Sequence, residues 1–297
     1  MRRYYRETPG SRIFDFFNVL LMFLFMLTII FPFWNQLCIS FSDVSTYPVS
    51  DITVLPLGFN AESYMKVFSD ARILRVSMIS VLRVLVGTTG TLLCTGLLAY
   101  ITTIEWFSGR KLLRRGFLFT MYFSAGLIPT YLAFISIGLY NTFWVYIIPS
   151  LFSAYYMLII SSYISNLPSS LFEAARIDGA SEMKIYFSIV LPVSIPVFAA
   201  IAVYCAVDQW NSWFDTTIYA PNGQFDTLQI YLRRVLLEIE ALSMIEDSSK
   251  ALSKFKTLTP QSIRAATTII VTVPIVCVYP FLQRFFLTGI TIGAVKG

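Results

Sequence analysis

Histidine is absent from this chain of 297 residues, and only 13% of its residues are charged. Without imidazole the commonest zinc ligand and the usual acid–base group near neutrality are missing. A membrane-embedded enzyme would need a nucleophile, base or metal constellation facing a cavity. Neither histidine nor paired carboxylates within the apolar stretches are there to build one. Cysteine is scarce as well. Cys38, Cys94, Cys205 and Cys277 are scattered through apolar surroundings, a setting for reduced, packed thiols rather than a disulfide framework or metal site. No Gly-x-x-x-x-Gly-Lys-Ser/Thr stretch occurs, so the chain has no phosphate loop of its own for ATP. The low charge content itself departs from a soluble domain, in which about a quarter of residues are charged.

What is abundant is hydrophobicity, at 56% of the chain, in runs long enough to cross a bilayer at about 20 residues per helix. The reading is an all-α membrane protein forming a single domain over residues 1–297. Six transmembrane helices are expected at about 14–33, 78–104, 116–137, 142–164, 186–207 and 263–281. Arg2, Arg3, Arg6 and Arg12 before the first run resemble a signal-peptide approach. The apolar run is too long for that, and no small-residue cleavage site follows it cleanly, so the helix is expected to be retained. Gly116 to Phe172 contains no charge and has room for two helices, dividing at Gly138-Leu139-Tyr140-Asn141. Pro129, Pro149, Pro192, Pro196 and Pro274 fall inside expected spans. In a bundle, neighbouring helices and hydroxyls can satisfy the carbonyls that proline frees.

Basic residues set the orientation. Arg2, Arg3, Arg6, Arg12, Arg110, Lys111, Arg114, Arg115, Arg176, Lys184, Arg284 and Lys296 fall in short segments on one side. The other side has two long loops, 34–77 and 208–262, with lower basic density. Short loops carry the topological weight, which puts both termini in the cytoplasm. The net charge of +5 therefore sorts by membrane side instead of forming a nucleic-acid patch. The basic run Arg110-Lys-Leu-Leu-Arg-Arg115 reads as a topology signal beside anionic lipid. Arg83 lies inside the second span near its outer end, open to a functional role or to snorkelling to the headgroups. Gly87, Gly90 and Gly96 on the same helix suit close helix packing.

The inner loop 166–185 is the most specific feature. Ser170 and Glu173 have capping-box spacing behind Pro168, and Ala174-Ala175 leave a nearly bare helix surface. Asp178-Gly179 supplies a turn, since glycine takes positive φ without steric cost. Leu171, Phe172 and Ile177 offer an apolar face, while Glu173, Arg176 and Asp178 can pair across an interface. Glu173-Ala174-Ala175, then Gly179, Ile189 and Leu191-Pro192, resembles the EAA loop of ABC importer permeases. Trp210-Asn211-Ser212-Trp213-Phe214-Asp215 and the ending Gln283 to Gly297 resemble the maltose-type, shorter-permease branch of carbohydrate importers. Leu228-Gln-Ile-Tyr-Leu-Arg-Arg234 is similar to the subgroup linked to complex oligo- and polysaccharide uptake.

That resemblance implies a type I ABC importer transmembrane domain that is not itself catalytic, in the bacterial cytoplasmic (inner) membrane. It implies a second homologous permease, two ATP-binding subunits, an extracytoplasmic solute-binding protein and a carbohydrate substrate as partners. No cofactor is expected on this chain; ATP and magnesium would sit on the ATPase subunits. Glu173, Ala174, Ala175, Arg176, Asp178 and Gly179 are the implied ATPase-coupling residues. Trp210, Asn211, Trp213 and Asp215 supply aromatic faces with amide and carboxylate groups, the mixture a sugar path or binding-protein contact needs. Interfacial anchoring is an equal alternative for the tryptophans. Arg233, Arg234 and the group Lys250, Lys254 and Lys256 suit an acidic glycan such as an alginate or pectin fragment, although acids outnumber bases in the outer loops. A proton- or sodium-coupled carrier is the main competing class. It would need acidic or unwound backbone sites near the midplane, and no Asp or Glu falls in an expected membrane core.

Overall fold

The computed structural model describes residues 9–243, 259 and 261–277. The expected end of the sixth span, the tail from Gln283, and Lys250, Lys254 and Lys256 lie outside the described residues. Among the described residues the regular elements are all helices, with one isolated antiparallel bridge between Ser42 and Phe59. The helices are α1 Pro9–Ser40, α2 Glu62–Ser69, α3 Ala71–Thr103, α4 Arg110–Tyr122, α5 Leu127–Ser136, α6 Ala154–Ser165 and α7 Ser169–Ile177. They continue as α8 Glu182–Ile185, α9 Leu191–Val193, α10 Ile195–Asn211, α11 Phe214–Tyr219, α12 Leu228–Ser243 and α13 Gln261–Cys277.

Two of these, α1 and α3, are long and apolar enough to cross a bilayer unbroken. Two bent pairs, Phe143–Ser150 with α6 and Glu182–Val193 with α10, meet the same test when each counts as one span. The chain divides into two compact units. In the first, residues 1–70 with 235–270, the apolar side chains of α1 from Ile13 to Phe33 are exposed all round. Only the last turns of α1 are packed. Trp34 and Asn35 donate to the carbonyls of Val54 and Ile52 at 2.8 and 2.7 Å, and Cys38 and Ile39 join a small core with Ile52 and Ala265.

The second unit holds the long helix α3 against α6 and α10. Lipid is as apolar as leucine, so such contacts depend on close packing rather than water exclusion. Gly87 faces Gln209, Gly90 faces Leu151 and Gly96 faces Phe198 and Tyr186, each too near for a Cβ without a shift. The core comprises Leu98, Tyr100, Met157, Ile160, Ile185, Tyr186, Val190, Phe198 and Ile201 among others.

Several expected spans are broken rather than continuous. The segment 116–137 is two helices, with Phe123 to Gly126 between them and Gly126 at φ +88°. Arg110 to Arg115 belong to the first turns of α4 and are not a loop. The Gly138–Asn141 turn forms, with Gly138 at φ +73° and Asn141 at +56°. Beyond it, the start of the expected fourth span consists of short 3-10 turns that meet α6 at 43°. The carbonyls exposed there after Pro149 are satisfied from α3: Thr91 donates to Ser150 O at 2.8 Å and Thr95 to Leu151 O at 2.9 Å. The fifth segment passes through a π-helical stretch, Tyr186–Val190, and bends by 81° at Ser194. Pro192 and Pro196 flank that bend, and each lacks the N–H that a straight helix would need. The expected outer loops also contain structure: α2 in the first, α11 and α12 in the second.

Candidate functional site

The segment 166–185 folds as a helix, a glycine turn and a second helix. The capping box expected from Ser170 and Glu173 does not form. Helix α7 begins two residues earlier than that box would set it, at Ser169, with Pro168 at the N-cap position and no side-chain cap bond. Ser170 is thus already helical, whereas an N-cap hydroxyl needs an extended backbone.

Its C-terminus is a Schellman turn. Gly179 sits at φ +74° and its N–H bonds to Arg176 O at 3.0 Å, while Ala180 N–H reaches Ala175 O at 3.0 Å. This pairing satisfies the last carbonyls of the helix and requires the left-handed conformation at Gly179. Ser181 then caps α8, its hydroxyl accepting from Lys184 N at 3.4 Å.

The alanine pair is divided between two faces. Ala175 is buried in the bundle core with Phe172 and Ala180 packed beside it, and Ala174 is exposed. Glu173, Asp178 and Gly179 are exposed too, and Ile177 is 86% exposed. Among the described residues Glu173 and Asp178 have no ion-pair partner. Arg176 does, and the partner is internal: its Nε donates to Glu182 Oε1 at 2.9 Å. The other oxygen of Glu182 accepts from the hydroxyl of Tyr100 on α3. Burial opposes ionisation of Glu182, but the bonds from Arg176 and Tyr100 outweigh it and hold the carboxyl below the usual carboxylate range. The same carboxylate raises Arg176. Because the folded pKa is depressed, the stabilisation is present at neutral pH and is lost only as pH falls through that lowered value.

A second constellation lies in the N-terminal half of α3. Arg83 does not snorkel: it is 3% exposed and ion-paired with Asp215. It also donates to Gln209 Oε1 at 2.8 Å, and its guanidinium lies 4.4 Å from the ring centre of Tyr146. Gln209 donates onward to Ser150 Oγ at 3.0 Å, and Ser212 donates to Asp215 at 3.0 Å. The network ties α3 to α10, α11 and the turns before α6.

The residues expected at the outer mouth are largely engaged in holding this region together. Asp215 is the Arg83 partner, and Trp210 Nε1 donates to Val271 O at 3.2 Å. Asn211 is exposed and accepts from Gln229 at 3.2 Å. Trp213 is half-buried, with the guanidinium of exposed Arg233 stacked 3.7 Å from its ring centre. Arg234 is held by Asp226, while Arg233 has no ion-pair partner among the described residues. The cysteines are free: Cys38 and Cys205 buried, Cys94 half-buried and Cys277 exposed.

An apolar bundle of bent helices, two of its helices long and apolar enough to cross a bilayer unbroken, defines a membrane-embedded component. The chain matches, over residues 3–218, the family described as binding-protein-dependent transport system inner membrane component, and it belongs to that family. It is 31% identical to the polygalacturonan/rhamnogalacturonan transport system permease protein YtcP of Bacillus subtilis (strain 168), covering 97% of this chain and 99% of YtcP. Protein LplC of the same strain is 35% identical, over 98% of this chain and 97% of LplC. The fold matches the crystal structure of a bacterial ABC transporter involved in the import of the acidic polysaccharide alginate. The TM-score is 0.83 at 25% identity, covering 95% of this chain and 99% of that one. The protein is therefore an inner-membrane permease component of an ABC transporter. Membership implies ATP-binding and solute-binding partners and a second permease.

Proposed function

We propose that this permease imports an acidic oligo- or polysaccharide, driven by ATP hydrolysed on two separate subunits that bind the nucleotide and its magnesium. The observation that carries the coupling is the exposed end of α7. Glu173, Ala174, Ile177 and Asp178 are exposed on a segment that rests on the core through Phe172 and Ala175. Such a surface suits a groove on a partner, with Glu173 and Asp178 pairing with its basic residues. On this reading the chain crosses the membrane six times with both termini cytoplasmic, and each bent helix pair is one span. The expected coupling residues are Glu173, Ala174, Ala175, Arg176, Asp178 and Gly179; Ala175 and Arg176 act from within by seating the helix.

The acidic substrate is supported by the names of the relatives and by Arg233. A guanidinium stacked on Trp213 keeps its edge donors in one plane, the arrangement that grips a carboxylate through two bonds. Trp213 and Asn211 would stand at the outer mouth, beside the sugar or the solute-binding protein, with Asp215 and Trp210 positioning them.

Co-purification from the native membrane tests the assembly. Mass spectrometry should recover a second permease and an ATPase, and short oligogalacturonate or oligoalginate should stimulate hydrolysis where a neutral malto-oligosaccharide does not. Recovery of the chain alone, with uptake driven by an ion gradient, would overturn the proposal. Trp213→Ala should lower uptake with normal assembly; unchanged uptake would assign that ring to anchoring.

Gly179→Val should uncouple hydrolysis from uptake while leaving the subunit inserted. A Cβ there meets nothing within 4 Å, so the penalty is conformational, about 1–2 kcal/mol for a left-handed residue. The end of α7 would relax and misalign its exposed face. Wild-type uptake per ATP in that variant would contradict the role of the turn.

A further inference from the structure

We propose that Glu182 is a positioning residue that clasps the coupling turn and fastens it to α3, so that α7 and the long helix move as one body. The inference rests on the reading of α7 as the ATPase contact.

Gly179 is the soft point of the segment. It is the one residue between α7 and α8 at positive φ, and glycine rotates more freely than any other residue. A force applied to the exposed face of α7 would be absorbed there if the turn alone joined the two helices. Arg176 lies before the glycine and Glu182 after it, and their bond at 2.9 Å closes over the turn. The second oxygen of the same carboxylate accepts from Tyr100. One side chain therefore holds three helices, α7 through Arg176, α8 through its own backbone and α3 through Tyr100.

Apolar packing does not do this equally in both directions. Phe172 and Ala175 rest against the core, which resists a push, but dispersion contacts are individually weak and fade quickly on separation. Charge-assisted hydrogen bonds are directional and resist a pull. A cycle that closes and reopens a partner pair needs both.

Tyr100 is suited to receive the load. It is 3% exposed, and its ring packs against Tyr186, 5.6 Å between centres, at the start of the π-helical stretch. Along α3 the same rod reaches Arg83, about 25 Å away at roughly 1.5 Å per residue. There Arg83 grips Gln209 and Asp215, so a displacement entering at Glu182 is delivered to the Arg83 network through one continuous helix.

The test uses the complete importer in liposomes with its binding protein, and the panel oligosaccharide that most stimulates the wild type. Glu182→Gln and Tyr100→Phe should each assemble and hydrolyse ATP, yet uptake per ATP should fall at least about threefold. The double variant should be no worse than Glu182→Gln alone, because the Tyr100 bond is one of the two that the Glu182 carboxylate makes. Tyr100→Phe keeps the ring packing and decides the matter should Glu182→Gln fail to assemble. Glu173→Ala is the control for the ATPase contact. If it behaves as wild type, the reading of α7 falls. If it is defective while uptake per ATP is normal in Glu182→Gln and Tyr100→Phe, the clasp alone is overturned. Lower thermal stability with unchanged uptake per ATP would make Glu182 structural only and likewise overturn the proposal.

Discussion

Arg83→Met should lower the stability of the folded permease by about 3–5 kcal/mol, because it strands a partly buried carboxylate and leaves a buried amide without its donor. Asp215 has a side chain 22% exposed beside an arginine at 3%, and Gln209 is 7% exposed. Restoring charge balance should recover most of the loss. Arg83→Met combined with Asp215→Leu removes both charges, and a buried pair exchanged for apolar groups is often close to neutral. Resistance of the purified chain in lipid nanodiscs to stepwise SDS unfolding measures both variants. If the double variant lost as much as Arg83→Met and Asp215→Leu, each measured alone, added together, the ion pair would not be what holds this part of α3. Tyr146 is a further check. Its ring lies under the guanidinium and its hydroxyl donates to Phe225 O at 2.9 Å, so Tyr146→Phe should have a smaller effect than Arg83→Met.

Gly96→Val should be the most damaging single change on the seam between α3 and α10. Its Cβ would stand 2.5 Å from Phe198 Cε1 and 2.6 Å from the hydroxyl of Tyr186. Both rings are buried, Tyr186 completely, so neither can swing into open space. Overpacking of this kind costs about 1–3 kcal/mol, and here it also pushes apart two helices whose association in lipid depends on close approach. Gly116→Ala is the contrasting case. It lies within α4 with nothing within 4 Å of a new Cβ, and alanine is the better helix former by about 0.5–1 kcal/mol. SDS resistance should fall for the first and hold or rise for the second. Equal behaviour would mean that α3 and α10 do not meet through Gly96.

Local features of the site were legible in the sequence because their signals are short-range. Gly179 follows Asp178 at the end of an alanine-rich helix, and helices commonly end on a left-handed residue, most often glycine. The bare surface expected of Ala174 and Ala175 formed only at Ala174; Ala175 is buried, which the spacing alone did not show. The division at Gly138 to Asn141 was readable for similar reasons. The break at 123–126 was not, because the run on both sides is apolar and charge-free, and hydropathy does not register a bend. Nor did the capping-box spacing decide where α7 starts, since proline at 168 fixes its own φ and lets the next residue enter the helix.

The sequence by itself determined the class of this protein. Long charge-free runs must satisfy their backbone as helices in lipid, and the spacing from Glu173 to Pro192 carries the family. Only the tertiary structure decided the partners of the charged side chains. Arg83 and Asp215 lie on different helices and far apart in the chain, as do Tyr100 and Glu182. Such pairs exist because burial leaves each charge to find its complement wherever packing brings one, and no local pattern announces which one that will be. Glu182 in particular reads along the chain as an ordinary acid in the first turn of a short helix; its place between Arg176 and Tyr100 exists only when α3 and α7 are packed together.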